Sequence, residues 1–127
     1  MTYHHKAFVR WDDLDAMCHV NHAKYLTFAQ EARFEWSFMQ HHAKGEIPGL
    51  MEMVVARAEV DFLKGITLGG IFVDVSLWVE KIGTSSFSMV YEIHNGDELY
   101  ARVKTVQVGV DKSVSKSRPL NDDERKF

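Results

Sequence analysis

RWDDLDAMCHVNHAKYLTFAQEARFEW, residues 10–36, places three carboxylates (Asp12, Asp13, Asp15), two histidines (His19, His22) and the only cysteine, Cys18, within thirteen positions, then becomes an apolar, aromatic-rich helical pattern. From about Asn21 to Met39 there is no glycine or proline, and Tyr25, Ala29, Ala32, Trp36 and Met39 recur every three or four residues. That period predicts one long helix. Asn21 is its expected N-cap, because an asparagine oxygen can accept a bond from a first-turn amide that the helix leaves unpaired.

Working outward, Tyr3 to Trp11 is aromatic and β-branched and predicts a first strand. Behind the helix, HHAKGEIPGL, with its glycines and Pro48, predicts a loop. The period then changes to two. Val54, Ala56, Ala58, Val60 and Phe62 alternate with Val55, Arg57, Glu59 and Asp61, as in a half-buried strand. Ile71, Val73, Val75, Leu77 and Val79 mark a second such strand, and Phe87, Met89, Tyr91 and Ile93 a third, with KIGTSS as the turn between them. Asn95-Gly96 signals a hairpin, since both residues tolerate the positive φ of a type I′ turn. The next strand runs from about Leu99 to Val110. Its apolar phase changes from Leu99, Ala101 and Val103 to Val106, Val108 and Val110, which predicts a bulge near Lys104 and Thr105. In the tail, a final turn is expected from Asn121, with Glu124 completing a capping box.

One strand, one long helix and four consecutive antiparallel strands make an α+β pattern, not βαβ alternation. A single helix can bury its apolar stripe by lying across a strongly curved sheet. With 127 residues the chain makes one domain over its full length, 1–127, and any deep cleft calls for a second copy.

Composition narrows the partners. A net charge of −3 and 26% charged residues argue against nucleic acid as a partner, since a duplex-binding face is usually basic. No apolar run reaches the roughly 18 residues of a spanning helix, and MTYHHKAF lacks a signal core, so no membrane span and a cytoplasmic location are expected. A lone cysteine forms no internal disulfide.

The helix entrance itself can bind an anion or a developing oxyanion through its unpaired amides and the helix dipole. A carboxylate just before it, such as Asp15, can face a carbonyl held by those amides, which is half of an acyl-transfer site. The bland reading of Asp12, Asp13 and Asp15 is that they are loop acids interacting favourably with the same helix end. His19 and His22 form an H-x-x-H pair without a third ligand group of recognised spacing, so no metal is expected. A calcium loop counted from Asp13 fails, with Cys18 at its sixth position and Lys24 at its twelfth. Cys18 near a helix start can be a stabilised thiolate, but a lone cysteine is more often a small buried residue. Phosphate-cradling glycine loops and G-x-S-x-G are absent.

RWDDLDAMCHVNHAKYL resembles the amino-terminal signature of the 4-hydroxybenzoyl-CoA thioesterase-like branch of hot-dog-fold acyl-CoA thioesterases. The matching positions are the aspartate pair Asp13 and Asp15, then His19-Val20-Asn21, and Tyr25. The resemblance implies the hot-dog fold, one long helix wrapped by a curved antiparallel sheet, and hydrolysis of an acyl-CoA thioester to a free acid and coenzyme A without metal or redox cofactor. It makes Asp15 the catalytic carboxylate, as nucleophile or general base, and puts His22 where one branch has its active-site histidine. The His22 amide falls where relatives polarise the thioester carbonyl. Asn21, Tyr25 and His19 would shape the site, and Lys81, Lys116 and Arg118 are candidates for the coenzyme A phosphates, against the reading that they are solvated surface charges. Homodimers with interfacial active sites, often paired into tetramers, are implied as well. The acyl chain would enter between helix and partner, with Phe28, Phe62 and Trp78 as candidate lining, although such aromatics are more often core. Two positions depart from the pattern. Cys18 stands where most relatives have glycine, and His22 where the His-Val-Asn branch has a second asparagine. Competing classes are an acyl-CoA binding module without hydrolysis and an enoyl thioester hydratase or dehydratase. A DNA-binding sensor would need a further segment, and the chain begins almost directly with its first strand.

Overall fold

The computed structural model describes residues 1–40 and 49–127. Most of HHAKGEIPGL lies outside the described residues. The elements are β1 (Tyr3–Val9), α1 (His22–Gln40), β2 (Met53–Phe62), β3 (Ile71–Ile82), β4 (Ser86–Asn95), β5 (Glu98–Asp111) and a short β6 (Lys116–Ser117), with 3-10 turns at Trp11–Asp13, Gly49–Glu52 and Glu124–Lys126. The antiparallel sheet has the order β1-β3-β4-β5-β2, and β6 pairs with β5. The arrangement is a hot-dog fold: α1 lies across the sheet, and Tyr25, Phe28, Ala29, Ala32 and Trp36 are buried against Val73, Val75, Leu77, Phe87, Met89, Tyr91 and Ile93. No described helix is long and apolar enough to cross a membrane.

On β3 and β4 the period-two positions Val73, Val75 and Leu77 and Phe87, Met89, Tyr91 and Ile93 are buried, although Ser76, Ser88 and Val90 between them are buried as well and a register shift at Glu80 ends the alternation of β3. Elsewhere the chain corrects the expectations. The first strand stops at Val9, because the Asp13 carboxylate pulls residues 11–13 into a 3-10 turn by accepting the Arg10 amide at 2.9 Å. Met39 is exposed at the end of α1. The hairpin loop is Gly96-Asp97, since Asn95 still pairs with Glu98. Only Gly96 takes a positive φ there, +60°, as a type II′ turn requires. The tail forms the expected capping box: the Glu124 amide donates to Asn121 Oδ1 and the Asn121 amide to Glu124 Oε1, both at 2.8 Å.

β5 has no bulge at Lys104 and Thr105. Its helix-facing side runs unbroken through Ala101, Val103, Thr105 and Gln107, and its irregularity is at Tyr100, between Ile93 paired with Ala101 and His94 paired with Leu99. The apolar pattern misled because Thr105 and Gln107 are polar yet buried, with the Thr105 hydroxyl bonded to the Tyr91 hydroxyl at 2.7 Å and Gln107 Nε2 donating to the Phe87 carbonyl.

β2 is also not half-buried within one chain. Ala58, Val60 and Phe62 stand opposite Thr105, Val103 and Ala101 and so face the helix side, and a bulge at Ala56 shifts Val54 to the outer face. α1 covers them only in part: Tyr25 meets the Phe62 ring, yet Phe62 remains 53% exposed.

Candidate functional site at the entrance of the helix

The loop before α1 is built by its own backbone. The Cys18 amide donates to the Asp15 carbonyl and the Asp15 amide to the His19 carbonyl, both at 2.9 Å. Val20 and Leu14 form an isolated bridge, and the Val20 amide reaches the Ile66 carbonyl at 2.8 Å. This closed turn requires a left-handed residue at position 18, and Cys18 supplies it with φ +58°. The backbone conformation that glycine adopts without steric cost is therefore kept by a residue that adopts it with strain.

The two aspartates of the pair separate into different roles. Asp13 is 2% exposed. Its Oδ1 accepts both Arg10 Nε and Nη2, Lys24 Nζ lies at 3.8 Å, and its carbonyl accepts the Asn21 amide. Asp13 thus clamps the strand end to the helix start. Asp15 faces solvent, and among the described residues only its Oδ1 is engaged, by the Met17 amide at 2.9 Å and the His19 amide at 3.4 Å. One carboxylate oxygen is pinned, which orients the other, Oδ2, and leaves it available.

Asn21 caps α1 as expected, its Oδ1 accepting the Ala23 amide at 3.0 Å. His22 opens the helix, exposed, and among the described residues its amide meets no acceptor. That amide, at the positive end of the helix dipole, suits a developing oxyanion. His19 packs over Gly65, where an added Cβ would lie 3.1 Å from its Cδ2. Tyr25 is buried, edge-on to Phe62 with centroids 5.2 Å apart. Burial pushes its hydroxyl up, partly offset by the hydrogen bond it receives from the Ile66 backbone. It braces the segment that receives Val20 and does not itself open to solvent.

Asp15, His19, Asn21, His22 and Tyr25 are therefore gathered at one end of the sheet. Lys81, Lys116 and Arg118 are not. Lys81 lies ten residues beyond Ile71 on β3, roughly 30 Å along the strand from that end. Lys116 and Arg118 follow β5 to the same far end, where the Leu120 amide meets the Thr84 carbonyl. Lys81 and Lys116 have no ion-pair partner among the described residues, whereas Arg118 is held bidentately by Glu124 at 2.7 and 2.8 Å. That pairing answers its charge inside the chain. Trp78 is a correction of a different kind: it pairs with Val90 on the outer face, opposite to Leu77, so it cannot line a space under the helix. Phe28 is core and Phe62 is open on the helix side.

A cavity of about 630 Å³ opens between Tyr3, Trp36, Ile82 and Phe127. It lies at the far end of α1 from Asp15 and is separate from the helix-entrance chemistry.

The family model of the thioesterase-like superfamily matches residues 9–126. Among solved structures, a thioesterase complexed with coenzyme A and Zn from Thermus thermophilus is similar at 30% identity, covering 97% of this chain and 88% of that one with a TM-score of 0.82. A 1,4-dihydroxy-2-naphthoyl-CoA thioesterase from Synechocystis shares the fold at 22% identity, 99% and 94% coverage and a TM-score of 0.84. A DHNA-CoA thioesterase from Staphylococcus aureus does so at 21% identity, 94% and 80% coverage and a TM-score of 0.81. No curated protein matches the sequence.

Proposed function

Because the chain belongs to the thioesterase-like superfamily and is a thioester hydrolase, we propose that it cleaves an acyl-CoA thioester to a free carboxylic acid and coenzyme A, with Asp15 as nucleophile or general base. The observation that carries this reading is the Asp15 carboxylate, held by Oδ1 and open at Oδ2, beside the helix start and the His22 amide. In the general-base route, Asp15 Oδ2 takes a proton from water as the oxygen attacks the thioester carbon. The His22 amide bears the developing oxyanion, and the C–S bond breaks to release coenzyme A as the thiol. In the nucleophilic route Oδ2 attacks first, and water cleaves the resulting mixed anhydride. Neither route requires a resident metal or redox cofactor. The Asn21 cap supports the loop from the helix side, His19 from the Gly65 side and Tyr25 from below. The His22 ring stands at the mouth of the site, where it can take part in proton transfer.

A single chain leaves Asp15 uncovered, and the protein works as a homodimer in the cytoplasm. β2 ends the sheet with one free edge. Antiparallel pairing of β2 with its copy sets the Phe62 end beside the Met53 end of the second subunit. Because Met53 pairs with Gly109, where the Arg118 amide is bound, this docking brings Lys116 of the partner subunit toward Asp15. The exposed Lys116 and Lys81 are then the cations for the phosphates of coenzyme A, while Arg118 holds the tail that presents Lys116.

The test is thiol release from a panel of aromatic, short-chain and long-chain acyl-CoAs by wild type and Asp15→Asn. The variant should lose at least about a hundredfold in kcat while keeping its circular dichroism and acyl-CoA affinity. Near wild-type turnover in the variant would refute the role of Asp15.

A further inference from the structure

We propose that Arg33 reads a carboxylate at the far end of the acyl group, which makes the preferred substrate a dicarboxylic acyl thioester; the inference rests on the thioesterase reading above. Arg33 is 6% exposed on the sheet-facing side of α1. Its Nη1 donates to the Tyr91 hydroxyl at 2.9 Å, and that hydroxyl bonds Thr105. Its guanidinium carbon also stands 5.9 Å from the Phe34 ring centroid. Among the described residues it has no carboxylate within ion-pair distance. A guanidinium keeps its charge in protein interiors, and a buried charge without a counter-charge is among the most costly features a core can carry. A neutral hydroxyl and a ring face only partly compensate it.

Two further observations point to an unfilled polar site at the same level. Ser37 follows Arg33 by one helical turn, and Gln107 follows Thr105 on the same face of β5. Ser37 Oγ and Gln107 Oε1 are both buried without a hydrogen-bond partner among the described residues. Buried polar groups in native proteins are nearly always paired, so a strip of Arg33, Ser37, Thr105 and Gln107 with orphaned atoms implies a polar occupant.

The path to it starts at Asp15. Tyr25 and Phe62 meet at the site end, and Phe62, Val60 and Ala58 continue along the inner face of β2, which α1 leaves only partly covered, ending where Ala58 stands opposite Thr105. An acyl chain laid between α1 and this strip meets apolar wall first and the guanidinium last. From His22 to Arg33 the helix rises about 16 Å, and the side chain leans back toward the N-terminus, so the distal group lies roughly 10–16 Å from the reacting carbonyl. That span fits a medium-length chain with a terminal carboxylate, which a guanidinium can bind through two parallel hydrogen bonds.

The experiment compares thiol release from dodecanoyl-CoA and dodecanedioyl-CoA by wild type, Arg33→Met and Arg33→Lys, with light scattering on each. Wild type should favour the diacid by about tenfold or more in kcat/KM, through KM. Arg33→Met should abolish that preference while leaving dodecanoyl turnover within about threefold of wild type, and Arg33→Lys should fall between them. Equal use of both substrates by wild type overturns the proposal without needing any variant to fold. So does a preference that survives in Arg33→Met. Loss of the dimer in Arg33→Met with an unchanged substrate ratio would assign the charge to the subunit contact instead, and also overturns it. Absence of thiol release from every acyl-CoA tested would sink the hydrolase reading and this one with it, whereas release without a diacid preference sinks this one alone.

Discussion

Asp13 and Asp15 differ in the sequence only by their places on either side of Leu14, yet one is an Arg10-bound strut and the other an open carboxylate. Residue type alone did not separate the two, because the difference depends on which side chain the 3-10 turn points at Arg10; only the family resemblance singled out Asp15. Cys18 shows the opposite case, in which the sequence already announced a conformational demand. A residue other than glycine in the turn had to change the backbone or bear its strain, and φ +58° shows that it bears it. Left-handed backbone costs a non-glycine residue on the order of 1–2 kcal/mol, partly returned by the greater freedom of glycine in the unfolded chain. Cys18→Gly should therefore raise stability in chemical denaturation by about 1 kcal/mol or slightly less, with the same m-value and unchanged thiol release. A destabilised variant would mean that the thiol makes packing contacts worth more than the strain.

At the scale of elements, legibility followed burial. β3 and β4 could be read because the helix covers one face of each, and α1 could be read from its cap to its last turn. β5 could not, because its buried positions 105 and 107 are polar and its outward valines mimic a phase change. The terminal turn was legible because a capping box is a purely local device. Here it also ties down the tail: Glu124 accepts the Asn121 amide and both Arg118 nitrogens. Burial pushes the Glu124 carboxyl up, but the bonds from Arg118 and the Asn121 amide outweigh burial and leave its pKa below the ordinary value of 4.5. A depressed carboxyl stabilises the fold fully above its unfolded pKa and stops doing so as pH falls through the folded value. Glu124→Gln should thus lower stability by about 1–3 kcal/mol near neutral pH, and the gap from wild type should narrow steadily below pH 4.5. Thermal melts across that range check it, and a gap that stays constant into acid would show that packing, not charge, sets the contribution of Glu124.

For the whole molecule, the open question is what covers β2. Its inner face carries Val55, Ala58, Val60 and Phe62, and among the described residues no strand pairs with its outer edge over ten residues. Such an edge is a template for another strand, and natural proteins blunt it or pair it. The sequence alternation held from Ala58 to Phe62, whereas the bulge at Ala56 put Val55 rather than Val54 on the inner face, and α1 leaves most of that face open. The proposed use of Lys116 toward coenzyme A at Asp15 calls for a second chain, since the two residues lie at opposite ends of one sheet and would approach each other if two sheets joined antiparallel at β2. Phe62→Glu would put a charge on the apolar inner face next to Tyr25, where a second subunit and the acyl chain both need apolar contact. Light scattering should show wild type at twice the chain mass and Phe62→Glu shifted toward monomer, with thiol release falling in parallel. Val54→Glu changes the same strand on its outer face and should leave turnover within about threefold, because an exposed charge there is solvated. A fully active Phe62→Glu monomer would show that one chain completes the site by itself, and the joining of Asp15 to a second subunit's lysine would have to be abandoned.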